Sequence, residues 1–319
     1  MAKRRRAPYW LYAVLSLLLV VLALLAWLSA EDGSPQDKQT KAGSKLANES
    51  WPADQTIPEI PHYEDFQQLS RQANLGWDVP SYPPTVNPPR ARGIALIMDD
   101  IGYDMHALQR VLALPFKVAI SVLPGAPGAK KAAEMAHAAG HIVMLHLPME
   151  PANPVYQQRM DDSFLRIDMN EAQVRALFLQ ALDRVPHAVG VNNHMGSLLT
   201  SSAAHMQWVM SLCREQGLFF VDSRTSRDSV AAEQALQFGL TWGERKVFFD
   251  HQSDPESLQL SWQAAQRCLK RHKSCIVIAH PYAQTLDFLE HRISEQDQQW
   301  IQPVTDILHS NSASLENSS

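Results

Sequence analysis

From Gly93 onward the sequence alternates, some seven times over roughly two hundred residues, between a short apolar run and a helix-length segment. The runs Ile94–Met98, Lys117–Val122, Ile142–Leu147, Ala188–Asn192, Leu218–Val221, Val247–Phe249 and Cys275–Ala279 are too short for helices and read as strands. Between them, the segment from Ala126 to Ala139 is stopped by Gly140. Asn170 caps a segment to Val185 with Val174, Phe178 and Ala181 at helical spacing, and Ala203–Glu215 is closed by Gly217. Continuous apolar runs mark strands buried on both faces, and their alternation with helices calls for a parallel α/β architecture. At this size the strands can close into a (β/α) barrel, with an open doubly wound sheet as the competitor. No Gly-x-Gly-x-x-Gly or Walker loop follows the first strand, so nucleotide binding has little support.

The residues before the alternation are of two kinds. Lys3-Arg4-Arg5-Arg6 precedes an uncharged apolar stretch from about Tyr9 to Leu28, the length a helix needs to cross a bilayer. The basic flank holds the amino end in the cytoplasm and places the rest of the chain beyond the inner membrane, in the periplasm. Residues 1–30 thus read as a membrane anchor. A cleaved signal peptide, releasing the domain into the periplasm, is the alternative, although Leu28-Ser29-Ala30-Glu31 lacks a clean small-x-small site. Residues 31–92 are polar and proline-rich, a composition that cannot bury a core and reads as a linker. Residues 93–309 form the α/β domain, and 310–319 read as a disordered tail. A formal net charge of −5 and no Lys/Arg stripe beyond the first residues argue against a nucleic-acid partner. Nothing identifies a protein partner.

Polar residues gather where the strands end: Asp99 and Asp100, His146, Asn192-Asn193-His194, Asp222 and Arg224, Asp250 and His251, and His280. Reacting groups of parallel α/β folds sit at these carboxyl ends. Taken singly, Asp99-Asp100-Ile101-Gly102 reads as a turn capping the next helix, and each histidine as a hydrogen-bonded core residue. Taken together on one rim, they read as a carboxylate–histidine metal site. Side chains alternate along a strand, which points Asp99 and Asp100 in different directions, one to hold a cation and its neighbour to take a proton. His106, His137, His205 and His272 fall on helices and read as solvated or half-buried. Cys213 reads as buried, while Cys268 and Cys275 flank a helix end and a strand start, where a bridge is conceivable in an oxidising compartment.

Several of these strings resemble a known family. Leu96-Ile-Met-Asp-Asp100 is similar to the opening motif of polysaccharide deacetylases of the NodB-homology type, and Gly140–His146 to the segment bringing in their first metal histidine. More closely, His146-Leu-Pro-Met-Glu-Pro151, Val191-Asn-Asn-His-Met-Gly-Ser197 and Phe220-Val-Asp-Ser-Arg-Thr225 resemble the divergent polysaccharide deacetylase family, the YibQ-like proteins, over about Gly93 to Leu308. The resemblance implies a distorted (β/α) barrel with an exposed divalent metal ion, zinc in the first instance, at the strands' carboxyl ends. It assigns the general base to Asp99, and metal ligation to Asp100 and His146. The family's second metal histidine is absent, since Glu150 stands there, so either Glu150 supplies an oxygen or His194 completes the site; His194 is the preferred choice. His280 matches the histidine that protonates the leaving amine. The arginine that steadies the base is missing from its usual place, and Arg224 is the candidate replacement.

On this reading the protein is a metal-dependent hydrolase that removes N-acetyl groups from an envelope glycan or peptidoglycan-like polymer, with a metal-bound water attacking the acetamido carbonyl. The alternative is a catalytically degenerate barrel serving as a glycan-binding or regulatory module. The missing histidine and displaced arginine favour it, and the retained aspartate pair and His280 favour the enzyme.

Overall fold

The structure, a computed structural model, describes residues 86–311. The candidate anchor, the linker up to residue 85 and the tail from residue 312 lie outside the described residues. Among the described residues, no helix is long and apolar enough to cross a membrane.

Seven parallel strands close into a barrel: β2 (Gly93–Ile101), β3 (Ala119–Val122), β4 (Ile142–Met149), β5 (Ala188–Met195), β6 (Phe219–Asp222), β7 (Trp242–Phe248) and β8 (Ser274–Ala279), with β8 pairing back onto β2. The fold is therefore the closed barrel rather than the open sheet. The outer layer holds α1 (Met105–Leu112), α2 (Ala129–Ala138), α3 (Pro154–Gln157), α4 (Glu171–Asp183), α5 (Ala203–Glu215), α6 (Ala231–Gln237), α7 (Pro255–His272), α8 (Ala283–His291) and α9 (Glu295–Gln298). Local chemistry fixes the helix ends. Asp104 caps α1 by accepting from the His106 and Ala107 amides, so the capping aspartate lies beyond the Asp99-Asp100 pair. Asn170 and Gln173 form a reciprocal capping box on α4. Helix α7 starts at Asp254-Pro255, ends with Lys270, Arg271 and His272 near its carbonyls, and stops at Lys273 in the left-handed region.

Strand β7 begins five residues earlier than the apolar run Val247–Phe249 indicates. Gly243-Glu244-Arg245-Lys246 carries no apolar signature, because its inward face is Gly243 and Arg245 rather than aliphatic. A Cβ on Gly243 would stand 2.5 Å from Ile276 and 2.7 Å from Leu308. The position needs glycine because the barrel is already full at that level.

Two apolar clusters follow from the alternation of side chains. The larger lies between the strands' outer faces and the helices. The smaller fills the barrel and includes Ala95, Ile97, Phe219, Val221, Ile276 and Ile278, joined from outside the strands by Val304, Ile307 and Leu308. The segment after α9, only a weak element in the sequence, thus stoppers the amino end of the barrel through a 3₁₀ turn at Val304–Asp306. Its backbone is tied to the strand starts: the Ile94 amide donates to Trp300, the Gln302 amide to Ile94, and Trp242 and His309 exchange two hydrogen bonds. Ser310–Asn311 (β9) then pairs antiparallel with Val86–Asn87 (β1). The end of the expected linker and the start of the expected tail therefore meet in a small ribbon.

Cys213 is buried and free, and Cys268 and Cys275 form a disulfide joining α7 to β8. Of the helical histidines, His205 departs from expectation: it is buried, with Nδ1 on the Ser202 hydroxyl and Nε2 on the Met169 carbonyl.

Candidate metal centre

The inward face of each strand continues, two residues beyond the apolar plug, into the polar mouth. Ala95 and Ile97 lead to Asp99, Met144 to His146, Gly190 to Asn192 and His194, and Ile276 and Ile278 to His280. Asp100 falls on the opposite parity and should point outward. It does not, because its φ of +57° breaks the pleat and swings the carboxylate back over the mouth. Aspartate is among the few non-glycine residues that tolerate this region. The two carboxylates, expected to diverge, both approach one ring: His146 Nε2 lies 3.5 Å from Asp99 Oδ2 and 3.2 Å from Asp100 Oδ1.

Asp100 Oδ1, His146 Nε2 and His194 Nδ1 form a near-equilateral triangle with sides of 3.0, 3.2 and 3.2 Å. A tetrahedral zinc ion bound at about 2.0–2.1 Å separates its donors by about 3.3 Å. The triangle therefore has the size of one face of such a site, with the remaining position free for another ligand. Asp100 Oδ1 is buried and no hydrogen bond satisfies it. A buried, unsatisfied carboxylate oxygen facing two imidazole nitrogens is a donor set that fits a divalent cation. Among the described residues this is the group of three ligating side chains close enough to share an ion.

Glu150, the alternative third ligand, is engaged elsewhere. Its Oε2 accepts from the Ile167 amide at 2.7 Å and its Oε1 from Gln157, so it braces the loop between β4 and α4. Arg224 also lies apart from the role expected of it. Its guanidinium reaches the Ser229 carbonyl, Asp222 and Glu244, and no hydrogen bond or ion pair among the described residues joins it to Asp99. The strand turns at Arg224, where φ is +48°, and the side chain leaves the mouth. The inward cation is Arg245, fixed by the carbonyls of Ser223 (2.6 Å) and Arg224 (2.7 Å); burial lowers its guanidinium to about 10 against the opposing pull of Asp222 and Asp99.

His280 points Nε2 toward Asp100 Oδ2 at 3.9 Å while its Nδ1 lies 2.9 Å from Asp250 Oδ1. Asp250 is itself pinned: its Oδ2 accepts from the His280 amide at 2.6 Å and from the Thr285 hydroxyl at 2.9 Å. Tyr282 stacks on the His280 ring and Phe248 meets it edge-on. Burial works against a charge on His280, but Asp250, Asp100 and Asp99 outweigh it and raise the imidazole to about 10. Burial pushes the Asp99 carboxyl up against the pull of His146 and His280. Burial also opposes ionisation of Asp100, yet His194, His146 and His280 hold it well below the usual carboxylate range. The mouth thus carries one carboxylate suited to stay ionised, one suited to accept a proton, and one imidazole suited to donate.

Beside the triangle opens a cavity of about 280 Å³, walled by Tyr103, Phe164, Arg159 and Ser163 and floored by Asp100 and His194. Sequence reasoning placed Asp250 and Asn192 at strand ends without giving them roles, and did not reach Arg245, Ser121 or Ser223. Inward parity within their own strands is the signal that finds Asn192, Ser121 and Ser223, whereas Asp250 follows a register shift in β7 that alternation does not reveal.

Residues 96–307 match the family model described as divergent polysaccharide deacetylase. The uncharacterized protein YibQ of Escherichia coli (strain K12) is 35% identical over 207 residues, covering 65% of this chain and 64% of its own length. This chain therefore spans less than two thirds of that relative. An uncharacterized protein of Haemophilus influenzae (strain Rd) is 32% identical over 197 residues, covering 62% of this chain and 69% of its own length. Among solved structures, the uncharacterized protein ATU2773 of Agrobacterium tumefaciens C58 is similar at a TM-score of 0.61 and 18% identity, over 67% of this chain and 90% of that one, a likeness of fold alone. The barrel, the strings at its strand ends and the family model, which spans most of the described domain, agree: this chain belongs to the divergent polysaccharide deacetylase family.

Proposed function

We propose that the protein is a metal-dependent hydrolase that removes N-acetyl groups from an envelope glycan or peptidoglycan-like polymer. The observation that carries the proposal is the triangle of Asp100, His146 and His194 with its unsatisfied carboxylate oxygen. These three side chains would hold a divalent ion, zinc in the first instance. When bound, the ion supplies a Lewis acid that polarises an amide carbonyl and lowers the pKa of water. The protein's own groups do the rest. Asp99, beside His146, accepts a proton from the water whose oxygen forms the new bond to the acetyl carbon. Arg245 offsets the charge of that carboxylate. As the C–N bond breaks, His280 delivers a proton from Nε2 to the amine nitrogen, held in line by Asp250 on Nδ1. The products are acetate and a free amino sugar. Exposed rings of Tyr103, Phe248 and Tyr282 offer faces on which sugars stack.

The domain works in the periplasm, anchored by residues 1–30 or released there by cleavage. The Cys268–Cys275 disulfide supports an oxidising compartment. The degenerate-barrel alternative drew on the missing histidine at Glu150 and on the displaced arginine; the nearness of His194 to Asp100 and His146 supports the enzyme reading on the first count. The deciding experiment measures metal content of the purified protein together with acetate release from N-acetylated chitooligosaccharides and peptidoglycan fragments. Expected are about one zinc per chain and acetate release that a chelator stops and added zinc restores. Bound zinc with no acetate from any of these glycans would select the degenerate barrel instead.

A further inference from the structure

We infer that Asn192 is a positioning residue that sets two groups of the site at once: it fixes which nitrogen of His146 faces the metal, and it orients the Asp99 carboxylate. The inference rests on the proposed metal site. Asn192 is wholly buried inside the barrel, in register with His146 of the neighbouring strand. Its Oδ1 accepts from the Ser121 hydroxyl at 2.5 Å and faces His146 Nδ1 at 3.0 Å. Its Nδ2 donates to Asp99 Oδ1 at 2.9 Å, with Oδ2 at 3.2 Å, and to the Ser223 hydroxyl at 3.2 Å. Both lone pairs and both hydrogens of the amide are thereby used.

The orientation of a side-chain amide follows from its hydrogen-bond partners. Turned over, Asn192 would set its oxygen against the Asp99 carboxylate and its NH₂ against His146 Nδ1, exchanging an attraction for a repulsion. In the orientation present, a carbonyl oxygen faces His146 Nδ1, and an oxygen can only accept. Nδ1 therefore carries a proton, which makes Nε2, facing Asp100 and His194, the nitrogen that can offer a lone pair to a metal. A metal-ligating histidine is held in this way by a partner on its other nitrogen. Here a single amide gives that service to the ligand and also anchors the neighbouring base.

Two variants test this. Asn192→Leu keeps the size of the side chain and removes every hydrogen bond. Asn192→Asp keeps an acceptor for Ser121 and His146 while withdrawing the amide donor from Asp99. The full chain, wild type and variants, is checked for folding by thermal unfolding and titrated with zinc against a chelator. Ring nitrogens of zinc-loaded, ¹⁵N-histidine-labelled protein are then read by NMR. The wild type should bind zinc through Nε2 of His146 with a slowly exchanging proton on Nδ1. The leucine variant should bind zinc about 10- to 100-fold more weakly and lose that protected proton. The aspartate variant should keep both, with zinc affinity within about threefold of wild type. Unchanged affinity and an unchanged Nδ1 proton in the leucine variant would overturn the positioning role and leave the metal site standing. A folded aspartate variant that loses the Nδ1 proton would overturn it too, even if the leucine variant does not fold. A wild type that binds no zinc overturns the metal site and this inference with it.

Discussion

At the amino end of the barrel the inward side chains are Ala95, Ile97, Phe219 and Ile276, met by Val304, Ile307 and Leu308 from the segment after α9. At the carboxyl end of the same strands they are Asp99, His146, Asn192 and His280. Both ends obey the same two-residue period, yet one is packed as a core and the other gathers carboxylates and imidazoles, with Asp99 and His146 buried and His280 half-buried. An apolar floor stabilises the fold through each methylene it buries. A mouth of buried charge costs stability and is tolerated where it does chemistry. Substitutions at the mouth should therefore cost activity and spare the fold, and those at the floor should do the reverse.

The largest effect belongs to the aspartate pair. Asp99→Asn should lower turnover about 10³-fold with zinc retained, since a general base contributes on that scale. Because burial already pushes the Asp99 carboxyl up, the metal-free variant should melt no lower than the wild type. Asp100→Asn should lose zinc and turnover together. Acetate release, metal content and thermal unfolding on the same samples check all three. Full activity in Asp99→Asn would remove the base assignment.

Next in size is the floor. Ile307→Ala takes a buried side chain out of the plug and should destabilise the domain by about 3 kcal/mol with unchanged zinc affinity and kcat. Denaturant unfolding and activity measured on one preparation would show it. A floor variant that lost zinc without losing stability would break the contrast between the two ends.

The contrast also explains what the sequence could and could not disclose. Apolar runs marked all seven strands, and the polar residues closing them marked the mouth, because a strand buried on both faces can change character only where it emerges. Asp100 was legible as a candidate ligand by resemblance but its place in the mouth was not, since its inward turn depends on a left-handed backbone that no alternation pattern reveals. Strand β7 hid its first half because its inward residues are a glycine and an arginine. Arg245 was overlooked for that reason, while Arg224, at a visible strand end, was the candidate the sequence offered. The stopper after α9 is only weakly apolar as a string. Its role comes from three side chains entering a space built by strands up to two hundred residues away, which is tertiary information.

Within the mouth, Asp250→Asn tests the support of His280. The variant keeps an acceptor near Nδ1 and removes the charge that holds the imidazole up. Charge-assisted hydrogen bonds are worth about 1.5–3 kcal/mol, so kcat should fall about 10- to 100-fold. Zinc affinity should stay near wild type, because Asp250 touches none of the three ligands. A fall in zinc affinity matching the fall in kcat would place Asp250 with the ligands rather than with the acid.

The smallest effect comes from a carboxylate that belongs to neither end. Glu233, in the first turn of α6, is half-buried, and burial alone pushes it to about 7 from an ordinary value near 4.5. Like Asp99 it resists ionisation, but among the described residues no hydrogen bond or ion pair ties it to the mouth. Its folded form holds the proton more tightly than the unfolded chain does, so this group leaves stability intact below about pH 4.5 and reduces it as pH rises through 7. Glu233→Gln should then add about 1 kcal/mol at pH 8, less than full burial of a charge would cost because the carboxyl keeps some contact with water. At pH 4 it should add nothing, and turnover should be unaffected at either pH. If the gain were the same at both pH values, the substitution would be acting through packing, and the contrast would have to be drawn on side-chain shape rather than on buried charge.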